Sequence, residues 1–81
     1  MDLAIYKKGA NKQQLKAMRE WAIQGWELVG SYSDEKRLLK DAEAEKFDYL
    51  LIANSDVLAE PLEKKLEKRK IEILPFDRQP R

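Results

Sequence analysis

Lys7 and Lys8, followed at once by Gly9 and Ala10, are the stretch of this chain most able to hold an anion. They come directly after the apolar run Leu3-Ala4-Ile5-Tyr6, and open α/β sheets take ligands beyond the carboxyl ends of their strands. Together with Lys12 they form a candidate contact for a small anion or a DNA phosphate. The plainer alternative is a set of solvated lysines on a loop.

Covalent chemistry finds little support. A serine nucleophile needs a base to take its proton. Ser31, Ser33 and Ser55 lie near the ends of strand-like runs, but the chain has no histidine, and no lysine is evidently paired with any of them. Ser33 and Ser55 read more simply as helix caps. Asp34, Glu35 and Asp56 could gather as a magnesium or phospho-acceptor site. That chemistry expects an acidic pair after the first strand, where Lys7 and Lys8 stand. Carboxylates stabilised at helix starts are the simpler account, and neither a metal nor a cofactor is expected. The absence of cysteine removes disulfides and thiolates, and with histidine also absent almost every zinc site goes too.

Sixteen Lys and Arg against fifteen Asp and Glu leave a net charge of +1, so no bulk attraction to nucleic acid or anionic lipid is built in. The basic run from Lys64 to Lys70 is interleaved with Leu66 and Glu67 and has no stacking aromatics. It reads as a solvated helix end rather than a nucleic-acid surface. The longest apolar run, residues 49–53, is too short to cross a bilayer, and the start Met1-Asp2-Leu3 lacks a signal pattern. A cytoplasmic protein without membrane partners is expected. Eighty-one residues suffice for one core: a domain over residues 1–75 and a surface tail over residues 76–81.

Four strand-like runs alternate with amphipathic stretches, the pattern of βαβ units around a parallel sheet. After Leu3-Ala4-Ile5-Tyr6, a helix capped by Asn11 turns Leu15, Met18 and Ala22 inward and ends with Gly25 as its C-cap. Residues 26–32 alternate enough to form a partly exposed edge strand. A second helix starts at Ser33-Asp34-Glu35, buries Leu38, Leu39 and Ala42, and runs to about Lys46. Residues 47–53 are apolar enough to be covered on both faces. The third helix begins near Asn54-Ser55-Asp56 and carries Val57, Leu58, Leu62 and Leu66 inward, with Pro61 tolerated only in a first turn. Ile71-Glu72-Ile73-Leu74 is the last strand, stopped by Pro75. Trp21 and Trp26 flank the first helix's end and are expected to pack on the neighbouring strand; exposure of either would mark a partner surface.

Three blocks in order carry a resemblance: Ala4-Ile5-Tyr6, then residues 26–35 (Trp-Glu-Leu-Val-Gly-Ser-Tyr-Ser-Asp-Glu), then residues 46–52 (Lys-Phe-Asp-Tyr-Leu-Leu-Ile). Together they resemble the serine recombinase (resolvase/invertase) catalytic domain over nearly the whole chain. The resemblance implies a three-layer αβα sandwich with a four-stranded parallel sheet in the order 2-1-3-4.

In that family a serine attacks a DNA phosphodiester while arginines hold the phosphate. Tyr6, Gln14, Asp34 and Asp56 match the family's positions. Lys8 stands for the first arginine of the Y-x-R-V-S motif, keeping its charge without the planar fork. Ala10 stands for the nucleophilic serine, and Val57 and Glu60 stand for the two arginines of D-R-L-x-R. The glycine-rich active-site loop is missing between Glu35 and Lys36. The family continues beyond the last strand into a dimerisation helix and a separate DNA-binding domain, and these 81 residues end before either.

What the resemblance implies is therefore a resolvase-like protein of mobile-element or phage origin, without cleavage chemistry, that binds a protein or, weakly, DNA. Self-association is compatible with it. The alternatives are a recombinase module completed by a partner during strand exchange, and an anion- or small-ligand-binding module at Lys7 and Lys8.

Overall fold

The computed structural model describes residues 1–79. Its regular elements are β1 (Asp2–Tyr6), α1 (Lys12–Ala22), β2 (Glu27–Tyr32), α2 (Glu35–Glu43), β3 (Tyr49–Ile52), α3 (Glu60–Lys68) and β4 (Glu72–Pro75). Single 3-10 turns cover Ser55–Val57 and Phe76–Arg78. The four strands make one parallel sheet in the order β2-β1-β3-β4, as the resemblance implies.

Layering follows from which side chains are apolar. Met18 and Ala22 of α1 join Leu3, Ile5 and Leu51 on one face of the sheet. Leu38 and Ala42 of α2 and Leu62 and Leu66 of α3 join Ala4, Leu50 and Ile52 on the other. Adjacent residues of β1 and β3 thus face opposite layers, which is why both inner strands are almost continuously apolar. The outer strand β2 is only partly covered, and its pairing with β1 shifts register between Leu3 and Ala4 so that Val29 bulges out. A bulge on an edge strand twists it away from further pairing.

Several local expectations need correction. Ile23, in right-handed helical conformation, closes α1, and Gly25 lies in the following turn. The α2 helix ends at Glu43, where Glu45 takes a left-handed φ of 58° and turns the chain toward β3. The third helical stretch is interrupted: Leu58 and Ala59 are extended, and α3 starts only at Glu60, with Pro61 in its first turn. The caps are Asp34 and Asn54, not Ser33 and Ser55; each accepts a backbone N–H two residues on. The surface tail begins later than Phe76, which is buried in the α1-side core. The rest of that expectation, at Pro80 and Arg81, lies outside the described residues.

Candidate functional site

The carboxyl end of β1 leads into a tight turn. Lys7 donates its backbone N–H to the Tyr32 carbonyl at 2.7 Å, and Ala10 donates to the Lys7 carbonyl at 3.1 Å. Gly9 closes the turn with φ +75°, a left-handed conformation that a side chain resists. A Cβ at Gly9 would also stand 2.5 Å from Cγ1 of Val57. The loop after β1 and the 3-10 turn after β3 are therefore in contact at the carboxyl edge of the sheet. Val57 is itself buried, and Ala10 packs partly against the α1-side core.

The other positions singled out by the resemblance divide. Tyr6 is buried at the end of β1, in register with Tyr32. Burial pushes its phenol above the usual range, and the negative charges of Glu35 and then Asp34 add to the shift. Those carboxylates therefore share an edge with Tyr6. Asp34 is committed as the cap of α2, accepting from the Lys36 amide at 3.0 Å. Gln14 is committed to a reciprocal capping box: its amide N–H donates to Asn11 at 2.8 Å, and its side chain accepts from Asn11 at 3.0 Å. Asp56 is exposed in the 3-10 turn, and Glu60, exposed in the first turn of α3, pairs with Lys64 at 3.1 Å.

Lys8 and Lys12 are exposed and Lys7 is half-buried; among the described residues none of the three makes an ion pair. No lysine bonds to Ser31, Ser33 or Ser55 among the described residues. Nor does any group of three or more His, Cys, Asp or Glu there gather to hold a metal. No helix among them is long and apolar enough to cross a membrane.

Two features escape sequence reading. The contact of Val57 with Gly9 joins positions far apart in the chain, and the glycine is its only local trace. The second is the tie between Tyr32 and Asp41, reinforced by Lys46 at 3.4 Å, since nothing in the spacing distinguishes these polar residues from solvated ones. Trp21 and Trp26 pack as expected and are half-buried. Their rings are 6.0 Å apart, Trp26 lies 4.7 Å from Tyr49, and Trp21 meets Phe76 edge-on at 6.3 Å.

No protein-family model matches the sequence, and no curated protein does. Among solved structures, the chain is similar to the C-terminal catalytic domain of ISC1926 TnpA, an IS607-like serine recombinase. The TM-score is 0.77 at 18% identity, over 93% of this chain and 69% of that one. Likeness at that identity speaks for the fold, and it agrees with the sheet order and the two-sided helical layers. The chain has the fold of a serine recombinase catalytic domain.

Proposed function

We propose that this is a resolvase-like domain of mobile-element or phage origin that cuts no DNA and acts in the cytoplasm by binding protein or, weakly, DNA. The observation that carries the reading is the seating of Val57 on Gly9. Val57 aligns with an arginine of the family's phosphate clamp, and its side chain is buried against the loop that should present the nucleophile. Ala10 offers no hydroxyl there. Lys8 offers a point charge without a bidentate fork, and Glu60, paired with Lys64, supplies no cation. A phosphoryl transition state needs preorganised cations around it, and such a cluster is not expected from one lysine pair.

Incubation with supercoiled plasmid tests this. No nicked circles and no covalent protein–DNA product are expected; either product would overturn the proposal. Weak DNA binding through Lys7, Lys8 and Lys12 would use about three phosphate contacts, giving a slope near −3 in log K against log salt. No gel shift at low salt would leave protein partners alone.

A further inference from the structure

A concavity of about 450 Å³ lies between α3 and β4. Its lining is mixed: half-buried Ile73 and Pro75 offer apolar surface above the buried Ile71, and Glu63, Glu67 and Glu72 add carboxylates. Arg78 stands at one side. Three carboxylates against one guanidinium leave a formal charge of −2 on the lining. Among the described residues none of these four side chains is in an ion pair.

The charge is segregated by helix geometry. Glu60, Glu63 and Glu67 recur at three- and four-residue spacing and fall on one flank of α3. Lys65 and Lys68 fall on the other and border the separate groove against α2, while Lys64 lies between the two flanks, paired with Glu60. Neutralisation within the helix therefore reaches Glu60, through Lys64, and leaves Glu63 and Glu67 facing the β4 groove uncompensated.

The edge of β4 limits how an occupant could sit. The Glu72 amide donates inward to Asp48 at 3.0 Å, so alternation along a parallel strand turns the amide and carbonyl of Ile73 outward. Pro75 has no N–H, and its carbonyl accepts from the Gln79 side chain at 3.1 Å. One residue's worth of strand pairing is open, enough to register a short segment but not to extend the sheet. DNA and other polyanions are excluded from this groove by sign.

We infer that the α3–β4 groove docks a short extended segment of a partner protein in which apolar side chains are flanked by lysine or arginine. The apolar side chains would cover half-buried Ile73 and Pro75, the cations would meet Glu63, Glu67 and Glu72, and the Ile73 backbone would set the register. This deepens the reading of the domain as a binding module and rests on it. Lys7 and Lys8 do not line this groove, although Ser55 of the 3-10 turn at the carboxyl edge does.

The test is a titration of the whole chain, followed by amide NMR shifts, with the pentapeptide Lys-Ile-Lys-Ile-Lys and its control Glu-Ile-Glu-Ile-Glu. Shifts clustered at Glu67, Ile71 and Ile73 with the basic peptide alone are expected. The doubly substituted Glu63→Gln/Glu67→Gln protein, altered only at exposed positions, should bind about tenfold more weakly. Shifts scattered over the surface, equal binding of the acidic peptide, or an unchanged Kd in the double variant would overturn the inference. Concentration-dependent shifts at the same residues without peptide would assign the groove to a second copy and overturn it too. Because occupancy of the groove and cleavage of plasmid are separate readouts, either proposal can fail while the other stands.

Discussion

Tyr32, the last residue of edge strand β2, donates its phenolic hydrogen to one carboxylate oxygen of Asp41 on α2, while Lys46 lies 3.4 Å from the other. The contact joins a partly exposed strand to the helix that covers it. Burial first, and then the bond to Asp41, push the Tyr32 phenol from 10.0 to about 12. The folded state thus holds this proton more tightly than the unfolded chain does. The contribution is complete below pH 10 and is lost as pH rises from about 10 through about 12. Asp41 is shifted the opposite way, mainly by the same hydrogen bond, so its contribution is present at neutral pH and lost as pH falls through its lowered value.

Thermal melts across pH should accordingly show Tm falling above pH 10. Tyr32→Phe is expected to cost about 1 kcal/mol at neutral pH, roughly 4–8 °C in a domain of this size, and to flatten part of the alkaline fall. A variant with wild-type Tm and an unchanged alkaline slope would remove the Tyr32–Asp41 contact from the account.

Gly9→Ala should be among the costliest small substitutions. It places a Cβ on a residue at φ +75° and within 2.5 Å of Val57 Cγ1, so a loss of about 2 kcal/mol or more is expected. Val57→Ala in the same chain removes the obstructing methyl groups and should recover part of that loss. Denaturant unfolding of both single variants and the double one checks it: the coupling must favour the double variant.

Glu45 and Lys70 sit just beyond α2 and α3 at φ 58° and 61°, conformations that glycine adopts without penalty. Both side chains are exposed. Glu45→Gly and Lys70→Gly should each stabilise by about 0.5–1 kcal/mol. A loss of stability in denaturant melts would show that the side chains contribute more than the strain costs.

Phe76→Ala should cost about 3 kcal/mol or more, because it opens a cavity in the α1-side core and removes the edge-on contact with Trp21. Trp fluorescence should report the change directly. A cost within 0.5 kcal/mol would return Phe76 to the surface tail.

Ala10→Ser with Lys8→Arg should not produce nicked plasmid. The sequence would still carry Val57 and Glu60 where the resemblance expects two arginines, so the added hydroxyl would gain no phosphate clamp. Nicking by this double variant would mean that the remaining residues suffice for phosphoryl transfer.

The parallel fold could be anticipated because its signals are local. The Leu3-Ala4-Ile5-Tyr6 run, residues 47–53 and the helical spacing of Met18, Ala22, Leu62 and Leu66 each need only a few neighbouring residues to be recognised. Their burial in the fold follows from the apolar area they remove from water. Element ends were harder, since capping depends on which of several adjacent polar groups reaches a free N–H. Asp34 and Asn54 win over Ser33 and Ser55 on geometry that composition does not carry.

The candidate site shows the same division more sharply. At Lys8, Ala10, Val57 and Glu60 the sequence supplies residue types alone: an ammonium, a methyl, an isopropyl and a carboxylate. That Val57 lies on Gly9, that Gln14 is held in a capping box, and that Glu63, Glu67 and Glu72 face one groove all require the chain to be folded. Each joins residues or elements through packing and hydrogen-bond geometry that neighbours in sequence do not specify. Side-chain identity therefore limits the available chemistry, and three-dimensional closure decides which of those groups are free to perform it.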